Sequence, residues 1–127
     1  MQSFGKENSK EIKELVYNSW PHDALLESFL YNGNGKSAKI EFFNPYFNIR
    51  TAMVFSDIEV VLVTKGNWGE ERETIISLSA EDDFSYLQTY LPKCSEYSED
   101  SLYLLFQMAS GDELHIVAKE VMIDITK

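Results

Sequence analysis

A chain of 127 residues that is 44% hydrophobic, with seven Tyr, eight Phe and two Trp, has enough apolar surface for one core, so a single domain over residues 1–127 is expected and a disordered polar chain is excluded. Net charge is -10 and it is segregated: residues 1–69 net -1 and residues 114–127 net 0, whereas residues 70–113 hold eleven acids against Arg72 and Lys93, a net of -9. That field repels nucleic acid and anionic lipid, whose binding depends on Lys and Arg neutralising phosphates, and it attracts cationic partners.

The first residues are polar, with no apolar segment of the kind that directs export, and apolar runs are strand-length, so a cytoplasmic protein that does not enter a membrane is expected. Asn8-Ser9-Lys10-Glu11 has the spacing of a capping box and predicts a helix start. Ile12, Leu15, Val16 and Trp20 then form one apolar stripe, Lys10, Lys13 and Glu14 face water, and Pro21 ends the helix. His22-Asp23 pairs an imidazole with a carboxylate, but adjacent residues of an extended chain point to opposite faces, so a structural corner is expected rather than a catalytic dyad. Residues 25–31 and 38–43 alternate as two strands around Asn32-Gly33-Asn34-Gly35, a hairpin signal; a phosphate-binding loop there would need a following helix. Tyr46-Phe47, after Asn44-Pro45, is either an exposed aromatic contact or a loop that folds back on the core, the second being favoured.

The chain is organised around Ile49–Val63, whose apolar and β-branched residues read as the middle of a sheet. Ser56-Asp57 interrupts it as a hairpin turn, a bulge or a bend, alternatives that the sequence leaves open. A loop over residues 65–72 carries Trp68, either a partner anchor or a plug for the sheet end. Residues 74–78 return as a strand, and Ser79-Ala80-Glu81-Asp82 opens a short helix that buries Phe84, Leu87 and Leu91 before Pro92. Residues 92–100 form a polar surface loop without the ligand spacing of a calcium site. Its Cys94 is the only cysteine, so there is no intramolecular disulfide. Residues 102–108 and 114–118 make a hairpin around Ser110-Gly111-Asp112-Glu113, and residues 121–125 continue it or add a short strand. His115, with no apparent acid, His or Cys at ligand spacing, is expected to have a strand-surface or pairing role rather than a metal one.

Turns this short exclude parallel crossovers, so the fold class is α+β: a mostly antiparallel sheet of about six to eight strands with an N-terminal amphipathic helix and a short second helix. Trp20-Pro21-His22-Asp23-Ala24, Phe55-Ser56-Asp57-Ile58 and Gly111-Asp112-Glu113-Leu114 together resemble a group of small bacterial proteins in which a Trp-His-Asp segment opens an antiparallel domain. Several of these are immunity proteins of polymorphic or contact-dependent toxin systems. The resemblance implies a cytosolic protein that binds and neutralises a cognate toxin domain. The acidic field, independently of the resemblance, points to a basic partner, met through Trp68, Glu70, Glu71, Glu73, Asp82, Asp83, Glu96, Glu99 and Asp100. No catalytic residue, cofactor or metal is expected, nucleic acid and membrane are excluded as partners, and a homodimer remains open. The alternatives are a small-molecule-binding or enzymatic domain with a pocket between sheet and helix, or a non-catalytic homo-oligomeric protein.

Overall fold

The computed structural model describes residues 3–64, 74–91 and 97–127. In chain order they form β1 (Ser3–Phe4), a 3-10 turn (Lys6–Asn8), α1 (Ser9–Asn18), β2 (Leu25–Asn32), β3 (Ser37–Asn44), β4 (Ile49–Val63), β5 (Ile75–Glu81), α2 (Ser85–Gln88), β6 (Leu102–Met108) and β7 (Glu113–Thr126). The fold is α+β, with the seven strands in one antiparallel sheet of order β2-β3-β4-β7-β6-β5 and β1 paired to β7 at Phe4↔Val121.

The two ends of that path meet. Asp23 N donates to Ile75 O at 2.8 Å, Ile75 N donates to Ala24 O at 2.8 Å, and Leu25 bridges Thr74, so the sheet curls until β2 and β5 touch. Inside the curl lie Ile40, Phe42, Met53, Phe55, Phe106 and Ile116, all fully buried. Each such side chain stabilises the fold by about 1.5–3 kcal/mol relative to exposure.

β4 runs unbroken through Ser56-Asp57, which is therefore a bend and not a hairpin turn. Asp57 takes φ +54°, and Phe55 and Ile58 both point into the core although three positions apart. β7 makes the same slip at the same level, because Ala118 and Val121 are both in the core while Ser56 faces Glu120 and Ile58 faces Ala118. A bulge at Glu59, between Ile58 and Val60, completes the kink.

A second apolar cluster sits on the outer face, where Phe84 and Leu87 cover Tyr103, Leu105 and Val117. β6 is thus buried on both faces, which is why Leu-Tyr-Leu-Leu-Phe reads as a continuous apolar run rather than a clean alternation.

Several sequence expectations are corrected. Asn8 gives α1 no side-chain cap, because its Oδ1 accepts from Gly5 N at 3.0 Å around the preceding 3-10 turn. The helix expected from Ser79 starts at Ser85: residues 79–81 stay in β5, where backbone pairing with β6 outweighs the local helix signal of two acids. Glu113 belongs to β7 rather than to the turn, which closes with Gly111 at φ +94°. Lys13 does not simply face water, since its Nζ bonds Asp82 Oδ2 at 2.7 Å.

The corner after α1 departs most. The helix stops at Asn18, Ser19 Oγ donates to Val16 O at 2.7 Å, and Trp20 at φ +49° swings out to 42% exposure instead of joining the buried stripe. Its ring stacks on Phe47, centroids 4.5 Å apart, so the Tyr46-Phe47 loop is displayed and not folded onto the core. Buried Asn44 joins the two loops: its Nδ2 donates to Trp20 O at 2.8 Å and its Oδ1 accepts from Tyr46 N at 2.9 Å. Asp23 at φ +69° turns the chain so that its carboxylate lies 3.6 Å from His22 Nε2, closer than an extended segment allows. The His22 ring, however, donates from Nδ1 to Ile76 O at 2.6 Å, a structural contact.

Candidate functional site

Side chains alternate along a strand, so Glu113 and His115 of β7 share the outer face, beside Gln107 and Leu105 of β6, their register partners. α2 lies over them. Phe84 and Leu87 bury, while Tyr86 and Tyr90, four residues apart, hang their hydroxyls over the Glu113 carboxylate.

The result is a closed hydrogen-bond set around one carboxylate. Tyr86 Oη donates at 2.8 and 2.7 Å to the two Glu113 oxygens, Gln107 Nε2 donates at 3.1 Å and Tyr90 Oη reaches within 3.3 Å. His115 Nε2 stands 3.2 Å from Oε1, and Tyr103 Oη stands 2.7 Å from His115 Nδ1. Since a carboxylate only accepts, Nε2 carries the proton; a neutral ring then leaves Nδ1 to accept from the Tyr103 hydroxyl. Ser77 Oγ fixes Gln107 by donating to its Oε1 at 2.8 Å, and Glu113 N donates to Thr64 Oγ1 at 2.8 Å.

The electrostatics follow from this geometry. Burial pushes the Glu113 carboxyl up, but the bonds from Tyr86, Gln107 and His115 outweigh it and hold the group below the usual carboxylate range. Burial depresses His115, with Glu113 only partly opposing it, so the fully buried ring is neutral at neutral pH. The Tyr86 phenol is raised by its bonds to Tyr90 and Glu113, and the Tyr103 phenol by burial, so both remain protonated. An ionised carboxylate saturated by donors is a poor general base. It does place a fixed negative charge behind the rings of Tyr86 and Tyr90, which are 42% and 46% exposed. Ring faces of that kind, backed by an anion, suit a guanidinium or ammonium.

Of the residues named from sequence, Trp68, Glu70, Glu71, Glu73 and Glu96 lie outside the described residues. Asp82 and Asp83 are exposed but already engaged. Asp82 meets Lys13 at 2.7 Å and Lys6 at 3.9 Å, and the Lys13 bond lowers its pKa; Asp83 Oδ1 accepts from Ser85 N at 2.9 Å and Oγ at 2.6 Å at the start of α2, and those bonds lower it. Glu99 and Asp100 are exposed on the turn that follows Tyr97, whose ring stacks on Phe84 at 5.5 Å and 9°. That stack joins Tyr97, two residues before Glu99, to Phe84, the residue after Asp83; Ser98 N in turn donates to Glu59 Oε1 at 3.1 Å.

Sequence reasoning missed Tyr86, Tyr90, Glu113 and His115 as a set. The signal was present: Glu113 and His115 stand at i and i+2, one strand face, once β7 is allowed to begin at Glu113. The expectation that His115 has no acid at ligand spacing is therefore overturned, and of the two roles expected for it the structure gives the pairing one, buried against Glu113 and Tyr103 rather than on the strand surface. Among the described residues, no group of three His, Cys, Asp or Glu is placed to hold a metal ion, and no helix is long and apolar enough to cross a membrane.

No family model matches the chain, and no curated protein matches it in sequence. A solved structure described as that of an uncharacterized protein from Neisseria gonorrhoeae aligns over 84% of this chain and 92% of its own, at 12% identity and a TM-score of 0.33, a likeness too low to carry a functional argument.

Proposed function

We propose that this chain is a cytoplasmic binding protein of the immunity type, which neutralises a basic toxin domain by seating its α2 face over the toxin's active cleft. The observation that supports this reading is the half-exposed Tyr86–Tyr90 pair backed by the Glu113 carboxylate, in a chain whose net charge is -10. Glu99 and Asp100 steer the basic partner, and the two tyrosine rings take its Arg or Lys side chains against Glu113. Asp82 and Asp83 hold the face in shape through Lys13 and Ser85 rather than serving as the main contacts.

The test asks first whether a neighbouring reading frame encodes a large secreted protein with a basic C-terminal domain, then measures binding kinetics against that domain at two salt concentrations, together with protection of cells expressing it; a neighbourhood without such a frame counts against the proposal. Charge reversal at Glu99 and Asp100 is expected to slow association and flatten its salt dependence, whereas Tyr90→Ala speeds dissociation. Unchanged rates and full protection in both variants would sink the proposal.

A further inference from the structure

The carboxylate beneath the α2 tyrosines has no hydrogen-bonding capacity left for a partner. Glu113 Oε1 is approached by Tyr86, Tyr90 and His115, and Oε2 by Tyr86 and Gln107, while a carboxylate accepts about four bonds in all. Its charge still acts on the surface through the two rings, but it forms no direct ion pair with an incoming cation. A contact of this kind selects among cations by what each loses when its water is removed.

The two ring planes cross at 87° with centroids 5.5 Å apart, and both rings lie against the buried His115 ring, at 5.7 and 5.5 Å. Proton counting then fixes the polar edge. Tyr86 gives its single proton to the carboxylate, the shorter and charge-assisted bond, and Tyr90 directs its own inward, to Tyr86 Oη at 3.0 Å or to Glu113 Oε1 at 3.3 Å. No other donor among the described residues reaches the Tyr90 oxygen, so its lone pairs are the acceptor left at this corner.

The start of the same helix supplies a contrast. Lys6 Nζ lies 5.2 Å from the centroid of the Phe84 ring, with the Asp82 carboxylate 3.9 Å away. Glu113 offers no such opening. An ammonium is compact and strongly hydrated, and laid on a tyrosine ring it gives up water from at least one N–H with nothing to replace it. A guanidinium is weakly hydrated above and below its plane and keeps its N–H groups at the edge, where one meets Tyr90 Oη and the rest stay in water.

We infer that the side chain this tyrosine pair takes from a partner is arginine, stacked on a ring face with one N–H on Tyr90 Oη, and that lysine is discriminated against. The inference rests on reading the α2 face as the partner surface, but the preference belongs to the free chain and is measured without a toxin.

The experiment titrates the full chain with N-acetylarginine amide and with N-acetyllysine amide, which carry the same single charge, at constant ionic strength, and follows the ring protons of Tyr86 and Tyr90 by NMR. The arginine derivative is expected to shift both rings and to bind about threefold more tightly, the size of one exposed cation–π contact. Tyr90→Leu removes ring and acceptor together and brings the two ligands to equal affinity, whereas Tyr90→Phe keeps the ring and retains part of the preference. Glu113→Gln weakens both ligands alike, because the anion acts through its field and not through a bond to either. Each variant is checked for a cooperative melt. The inference is overturned if the lysine derivative binds as tightly as the arginine one, if neither moves the two rings, or if Tyr90→Leu keeps the preference; the first two results need only the natural chain. An arginine preference in a chain with no toxin beside it would count against the immunity reading alone, and a toxin held while the free rings treat both ligands alike would count against this inference alone.

Discussion

Replacing Glu113 by Gln keeps the shape of the side chain and removes its charge, which isolates what the ionised carboxylate contributes. Gln107 can adapt: by turning its amide over it accepts from the new Nε2 and donates to Ser77 Oγ, since a hydroxyl serves in either role. The loss is then confined to the bonds from Tyr86 and His115, which fall from charge-assisted to neutral. A bond to a charged group contributes about 1.5–3 kcal/mol and a neutral one about 0.5–1.5, so two such bonds cost about 2 kcal/mol in all. For a domain of this size that lowers Tm by about 6–10 °C. The pH profile supplies a second readout. The folded-state pKa of Glu113 is depressed, so its stabilisation is complete above the unfolded value of about 4.3 and is lost as pH falls through the folded value. His115 is likewise depressed, and its contribution is lost as pH falls below about 6.5 toward its folded value. Thermal melts from pH 7 to pH 3 are therefore expected to fall in two stages for the natural chain, with the lower stage diminished in Glu113→Gln. A variant that melts within 2 °C of the natural chain at pH 7, about the smallest shift that 1 kcal/mol produces, would refute an ionised hub at this position.

Two further substitutions test the interior. Thr51 is fully buried on β4 and its Oγ1 has no hydrogen-bond partner among the described residues, so Thr51→Val should raise stability by about 1 kcal/mol in a urea titration; a lower midpoint would mean the hydroxyl is satisfied. Asn44→Ala removes the side chain that binds the carbonyls of Trp20 and His22 and the amides of Tyr46 and Phe47, and is expected to cost about 2–3 kcal/mol, with Trp20 fluorescence anisotropy falling as the corner loosens. An unchanged urea midpoint would show that the loops hold each other without it.

Much of the sheet was legible because strands announce themselves at short range. Residues 25–31, 38–43 and 49–63 alternate or are β-branched, and Asn32-Gly33-Asn34-Gly35 and Gly111 mark the turns between neighbours. What stayed hidden depends on contacts distant in sequence. Ser79 to Asp82 has the composition of a helix start, and only the β6 ladder keeps residues 79–81 extended. Trp20 has the right spacing for the buried stripe of α1, but its carbonyl is claimed by Asn44, on another strand, after the helix has ended. The bend at Ser56-Asp57 could not be chosen over a hairpin without the matching slip in β7. The hub was lost for a simpler reason: Asp112-Glu113 looks like turn chemistry, and moving the start of β7 by one residue changes whether Glu113 points at His115 or at solvent.

β7 follows in the chain every strand it pairs with: β1, β4 and β6. Its ladder with β4 joins Arg50 to Thr126 and Val63 to Leu114, separations that carry a large loop-closure cost before any contact repays it. Until β7 docks, the longest strand of the sheet has only its β3 edge paired, and the β2-β3-β4 meander and the β5-β6 pair are not joined through a common strand. Refolding from urea is accordingly expected to be on the slow side for a chain of this length, and the β4 and β6 edges that β7 covers are the ones open to edge-to-edge association in a chain that has not yet closed.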